Sequence, residues 1–343
     1  MIRPLARLAL GWQRFWFTPQ PTSTLALFRI AFGLLVTAWT LAFVPNLFDF
    51  FSPTGIEPGR PKVYPGEWGV LPSPAGPMVV TTVFVVLLLG CLALTVGWYT
   101  RVAAVVVWLG VLSVENANTL VGNSGDGLIR NLAFFMMFAP SGAALSVDRW
   151  RGHRGHRDTF WEFPERAPWA LRLVQVQISV GYLSAVWHKV QSELWREGTA
   201  VSYALRIEDI SRFPAPGFVT GSPVLIEAMT FGTLACELSL GILIWNRAAR
   251  PWVIPLGIAL HLGIDYAILI GFFSLAMYVS YLSFLRPENA ARLVLAVRDR
   301  VRNRPAAVLR RARTSPRSVP GPPTGAARPS PAARPAVPEP PVG

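Results

Sequence analysis

Long apolar runs separated by short polar loops dominate this chain, and their length is that of membrane-crossing helices. About 20 consecutive apolar residues cross a bilayer's hydrocarbon core. Residues 24–44, 78–98, 102–121, 128–146, 223–245, 252–268 and 270–286 meet or approach that length, as does the stretch opening at Trp169 and ending near Lys189. In lipid a helix satisfies its own backbone, so runs of this kind predict helices. The pattern predicts an all-α, polytopic integral membrane bundle of about eight transmembrane helices.

The stretches between the runs carry their own signals. The opening segment, MIRPLARLALGWQRFWF, is basic and aromatic, and no small-x-small cleavage site follows it, so the first run reads as an uncleaved span. Residues 45–77 form a Pro/Gly-rich loop whose aromatics, Trp68 among them, suit a membrane interface. The loop after Lys189 predicts a short interfacial helix capped near Gly198-Thr199. Four segments follow from this: a basic cytoplasmic segment, 1–23; a transmembrane domain, 24–286; a basic amphipathic piece on the anionic inner leaflet, 287–304; and a disordered Pro/Ala/Arg-rich tail, 305–343.

Composition agrees with a membrane chain. With 52% hydrophobic and 15% charged residues, the sequence does not read as an ordinary soluble domain. The net charge of +13 would suit nucleic acid, but its placement argues against that partner. Residues 287–343 hold eleven arginines against Glu288, Asp299 and Glu339, and most of the remaining excess sits in short loops. Counted loop by loop, Arg3, Arg7 and Arg14, then Arg101, the five arginines of 147–168, Arg247 and Arg250, and the tail all fall on one side. The positive-inside rule then puts both termini in the cytoplasm of a multi-pass cell-membrane protein. Lys189, Glu115, Asn118 and Asp126 converge on the external side. Cys91 and Cys236 lie singly within spans and read as packing residues, with no disulfide or metal spacing.

Chemistry is concentrated in the fifth run. Lys189, Ala185, Tyr182, Ile178 and Gln175 are spaced to share one helix face, which predicts that this face looks into protein or a wet cavity. Of 32 basic residues only Lys62 and Lys189 are lysines. Burial can leave a lysine as a neutral amine able to act as base or nucleophile, whereas arginine stays charged. The alternative is a lysine snorkelling to headgroups. Glu115 and Asn118, with Asp126 just beyond, form either the wall of an external cavity with a carboxylate for Lys189, or glue between helices. Asp126 and Arg130 are spaced to pair, as are His261 and Asp265, the latter as a structural or proton-relay couple. Glu237 is the deepest acid, neutralised by protonation or by an inner arginine. Arg29 is expected to snorkel from the inner end of the first span, and Tyr278 and Tyr281 to pack. No phosphate-binding loop, dinucleotide fingerprint, HExxH or GxSxG is present.

Taken together, Asn123-Ser124-Gly125-Asp126 with Arg130, and Phe138-Ala139-Pro140 leading to Ser146-Val147-Asp148, resemble the signature of HTTM proteins, the membrane domain shared with vitamin K-dependent gamma-carboxylase. Lys189, Trp195 and Gly198 after the Tyr182/Ser184 helix, and His261 before Gly271-Phe272-Phe273-Ser274, extend the likeness over roughly residues 20–287. Gly97-Trp98-Tyr99-Thr100-Arg101 is also similar to the wider DoxX-like family. The carboxylase resemblance implies that Lys189 is the base that deprotonates a quinol, oriented by Asp126 or Glu115, with Trp195 as a shape element. The quinone-like cofactor site expected here draws on Asn118, Tyr182, Trp195, His261 and Asp265. This chain reads Gly125-Asp126 where the carboxylase has a histidine, and a short arginine-rich tail where the carboxylase has a luminal docking domain. A quinone-type or other lipid-soluble substrate is therefore expected in preference to processive carboxylation of a protein. Two further readings stay open: a non-enzymatic DoxX-like component assisting a membrane protein partner, and transport along Glu237, His261 and Asp265.

Overall fold

The structure, a computed structural model, describes residues 2–56, 68–72, 74–118, 120–153 and 157–314. The end of the predicted disordered tail, 315–343, and the middle of the Pro/Gly-rich loop, 57–67, lie outside the described residues. The main helices are α1 (Ile2–Phe17), α2 (Ser23–Ala42), α3 (Pro77–Val96), α4 (Thr100–Ala117), α5 (Ser124–Phe138), α6 (Trp169–Gln191), α7 (Pro223–Ile242), α8 (Arg250–Ala267), α9 (Phe273–Tyr281) and α10 (Pro287–Thr314). Short helical turns fill several connections. Among the described residues the only strands are β1 (Gln20–Pro21) and β2 (Glu165–Arg166), which pair antiparallel. The fold is all-helical. One compact unit runs to Leu295 and a second begins at Ala296, where α10 continues past Pro305 to Thr314.

Among the described residues four helical stretches are long and apolar enough to cross a membrane: Ser23–Phe51, Pro77–Val96, Thr100–Ala117 and Pro223–Trp245. The outward face of α3 exposes Val79, Val85, Val86, Leu89 and Leu92, a surface suited to lipid. The other expected spans differ for local reasons. α6 has 23 residues but carries Arg172, Gln175, Gln177, His188 and Lys189, which dilute its hydropathy. α5 starts and stops earlier than the expected 128–146. Asn123 and Asp126 cap its first turn reciprocally, and Pro140 follows its end, where a proline cannot continue a helix. At 15 residues it spans about 22 Å, short of a hydrocarbon core of about 30 Å. α9 is shorter still, ending at Tyr281 in a tight helical turn.

Two groups of helices pack around separate cores. α2, α3, α4 and α5 follow one another side by side over Phe28, Phe32, Trp39, Phe84, Leu87 and Ile129. α6, α7, α8 and α9 enclose Ile178, Leu240, Met277 and Phe284 together with Tyr182 and Tyr281. The short α9 joins the groups, since it also packs on α2 and α5.

Arg29 corrects the snorkelling expectation. It is fully buried, its Nη1 donating to the carbonyls of Ser141 (2.9 Å) and Ala144 (3.2 Å) and its Nη2 to that of Leu145 (2.6 Å). The chain between α5 and Val147 folds over the end of α2, so backbone oxygens replace water and headgroups as acceptors. Asp148 then receives hydrogen bonds from the Tyr99 and Thr100 amides, both 2.8 Å, and from the Thr100 hydroxyl, 2.5 Å, capping α4. The Gly97–Arg101 turn and the Ser146–Asp148 segment thus meet. Gly97 is required there: its φ is +75°, and a Cβ would lie 2.4 Å from Ser146 Cβ and 2.7 Å from Arg29 Nη1.

Candidate functional site

The inward face of α6 is where the sequence puts it. Gln175, Ile178 and Tyr182 are buried and Ala185 and Lys189 are half-buried, and Gln175, Tyr182 and Lys189 bond to α7, α9 or the turn after it. Gln175 donates to the Ser283 carbonyl at 2.6 Å, fixing α6 against the turn after α9. Two turns further along, the Tyr182 hydroxyl lies between the Tyr281 hydroxyl and Nε2 of His261, the latter at 2.8 Å. At the C-terminal end, Lys189 Nζ donates to Glu237 Oε1 on α7 and stands 4.9 Å from the centre of the Trp195 ring. Trp195 reaches that position because α6 stops at Ser192, whose extended backbone turns the chain into the short helix Glu193–Arg196.

Several polar atoms of this cluster are left over. Glu237 Oε2, His261 Nδ1 and Tyr278 Oη are buried without a hydrogen-bond partner. Native interiors seldom leave such atoms unpaired, so each is an available contact for something that enters. The tyrosine pair limits the choices. If Tyr281 donates to Tyr182 and Tyr182 donates to His261 Nε2, the imidazole proton sits on Nδ1 and becomes a free buried donor. In the reverse polarity Nδ1 is a free acceptor.

Packing makes room for the tyrosine pair at one contact. Gly257 on α8 lies against Tyr281, and a Cβ there would stand 2.6 Å from the tyrosine hydroxyl and 2.8 Å from Leu240 Cδ2. Only a residue without Cβ lets α8 approach so closely.

Other expected pairings are replaced. Glu115 accepts from Arg130 at 2.6 Å and not from Lys189. Asp126 receives Trp39 Nε1 at 2.7 Å and the Asn123 amide at 2.8 Å, so it neither pairs with Arg130 nor reaches Lys189. Asn118 donates to the Phe50 carbonyl at 2.8 Å. These three side chains join helices and loops around α4 and α5, the role of glue. Asp265 takes the Ser274 hydroxyl at 2.8 Å while His261 turns to Tyr182, so the four-residue spacing brought them to one face without bonding them. Glu237 is neutralised by Lys189 and not by an inner arginine. Tyr281, expected merely to pack, is a member of the buried hydroxyl chain. No spacing in the sequence joins Tyr281 or Glu237 to α6, because both contacts arise between helices far apart in the chain.

Known proteins add one finding: the family model described as HTTM domain matches residues 17–288. No curated protein and no solved structure gives a significant match.

Proposed function

The chain belongs to the HTTM family, and from that premise we propose a membrane enzyme that takes a proton from a quinone-like, lipid-soluble substrate at the Lys189–Glu237 pair. The observation that carries this reading is the set of unpaired atoms beside the pair: Glu237 Oε2 and His261 Nδ1. A quinol presents a hydroxyl and an opposite oxygen. Oε2 suits the hydroxyl as acceptor, and an Nδ1 proton suits the opposite oxygen as donor. Lys189 donates a hydrogen bond to Glu237 Oε1. A proton that moves along this contact from Lys189 to Glu237 leaves a neutral amine and a neutral acid, and the partial burial of both groups narrows the gap in energy to the ion pair. From that state Oε2 takes the departing quinol proton while the acid's proton on Oε1 returns to the amine, and the Trp195 ring stabilises the ammonium that forms. The Tyr281–Tyr182–His261 chain holds the imidazole in orientation.

The proposal includes the topology: eight crossings with both termini in the cytoplasm of a cell membrane, a transmembrane domain over 24–286, flanking basic segments at 1–23 and 287–304, and a tail from 305. Support comes from the four helices of spanning length and apolarity and from the one-sided distribution of arginines.

Two measurements test the chemistry. Small molecules extracted from the purified protein should include a quinone by mass spectrometry. Lys189→Arg keeps the charge and a partner for Glu237 but cannot deprotonate, so quinol oxidation assayed with dioxygen as the added electron acceptor should fall by about 10²–10⁴-fold, the usual worth of a positioned base. Turnover at the wild-type rate in that variant overturns the proposal. The alternative, a DoxX-like accessory component, draws on the way Glu115–Arg130 and Trp39–Asp126 serve only to join helices. It predicts a protein partner that co-purifies and lipid extracts without quinone.

A further inference from the structure

The opposite end of α6 holds a second collection of charge. A cavity of about 570 Å³ opens there between the start of α2, the start of α6, the start of α8 and the turn after α9. Arg166, Arg172, Arg247, Arg250 and Arg286 line it, with Glu288 the sole acid in the lining. Among the described residues none of the five arginines forms an ion pair with a carboxylate. They repel one another instead: Arg250 feels the charges of Arg286, Arg172 and Arg247, and Arg172 feels Arg247. Gathering unpaired guanidinium groups around one hollow costs free energy unless an anion completes it.

The walls are fixed in advance. Ser23 Oγ donates to the Pro287 carbonyl at 2.6 Å and Thr24 Oγ1 to that of Leu285 at 3.1 Å, tying α2 to the segment that carries Arg286. Arg250 is held by the carbonyls of Ile244 and Phe284, at 2.8 and 2.9 Å. Arg172 donates through Nη1 to Gln175 at 2.9 Å and rests over the Phe15 ring at 4.7 Å, yet its buried Nε has no partner. Arg172 also stands in the first turn of a 23-residue helix, the positive end of its dipole, where a cation is disfavoured and an anion favoured.

We propose that this cavity is a binding site for a phosphate-bearing anion, either a free phosphate compound or a phospholipid headgroup. The forked guanidinium is the side chain that matches phosphate oxygens two at a time. The volume admits a phosphate with a substituent, and the site lies apart from the Lys189 cluster at the other end of the same helix.

The test uses the full-length protein and two probes. Inorganic pyrophosphate is titrated calorimetrically into protein in neutral detergent, and phosphatidic acid is counted by native mass spectrometry of protein released from phosphatidylcholine nanodiscs containing it. Arg247→Gln/Arg286→Gln is the informative variant, because both side chains are exposed and should leave the fold intact. Arg101→Gln/Arg151→Gln is the control, two exposed arginines outside the cavity. One bound probe per chain is expected, with affinity lost by at least roughly tenfold in the first variant, the effect of one charge-assisted contact, and kept in the control. Pyrophosphate binding identifies a free phosphate ligand, and binding of phosphatidic acid alone identifies a headgroup. Failure of both probes, or equal loss in both variants, overturns the proposal.

Discussion

The two poles of α6 each present a cation, and the protein treats them in opposite ways. Lys189, in the last turn, has a carboxylate, an aromatic ring and the negative end of the helix dipole. Arg172, in the first turn, has an amide oxygen, an aromatic ring and the repulsion of another arginine. A cation whose counter-charge is built into the neighbouring helix is finished in the folded chain, so what it can still do is move a proton. Cations left without counter-charge are unfinished, and what they can do is bind. Under the two proposals the helix serves proton chemistry at one end and anion capture at the other.

That contrast breaks most visibly at Glu237. Glu237→Leu strands Lys189 against an apolar wall. Removing one partner of a buried pair costs about 3–5 kcal/mol, and the lower figure applies because the Lys189 side chain keeps 24% of its exposure and can turn toward water. Thermal unfolding in detergent should show the loss. Lys189→Met/Glu237→Leu should recover most of it, since no uncompensated charge remains. Equal destabilisation of the single and double variants would mean that the two residues do not depend on each other.

At the other pole the sign reverses. Replacing Arg247 by glutamine removes repulsion and breaks no bond to another side chain, so the ligand-free protein should keep or slightly gain stability. A phosphate ligand at about 100 times its Kd should raise wild-type stability by about 2.7 kcal/mol, and the gain should shrink in Arg247→Gln/Arg286→Gln. The same unfolding measurement reads both poles, and a ligand effect that is identical in wild type and variant would erase the distinction between them.

Local spacing made one side of each contact legible and left the other side unseen. The face carrying Gln175, Ile178, Tyr182 and Lys189 follows from 3.6-residue periodicity, which every helix obeys. Glu237 and Tyr281 meet it from helices 48 and 99 residues away, and no local rule encodes that encounter. The spacing of His261 and Asp265 allowed a bond, but the chain reverses just beyond Ala267 and offers Ser274 to Asp265 first. Hydropathy found α2, α3, α4 and α7 because uniform apolar surface is visible without knowing neighbours. It overran α5, whose limits come from a capping box and a proline, and it misread Arg29, whose acceptors belong to a segment more than a hundred residues on.

The tyrosine chain between the poles is tested at Gly257. Gly257→Ala drives a methyl into the Tyr281 hydroxyl and Leu240, which should cost about 2 kcal/mol as overpacking. In a Tyr281→Phe background the hydroxyl is gone and the penalty should fall, leaving only the Leu240 clash. An undiminished penalty would show that the close approach of α8 serves packing alone and not the relay.

The smallest expected effect concerns Trp195. A cation over an aromatic face at a partly exposed site contributes about 0.5–1 kcal/mol, so Trp195→Leu should lower stability by no more than that. The informative quantity is where the effect goes when Lys189 is replaced. If the ring holds the ammonium, Trp195→Leu has its full effect in wild type and almost none beside Lys189→Met, because no cation is left to stabilise. If the ring only fills space against the end of α6, the two losses add. Under the proposed chemistry the same substitution slows quinol oxidation more than it weakens the fold, since the ring's attraction is strongest for the protonated lysine that forms as the substrate gives up its proton.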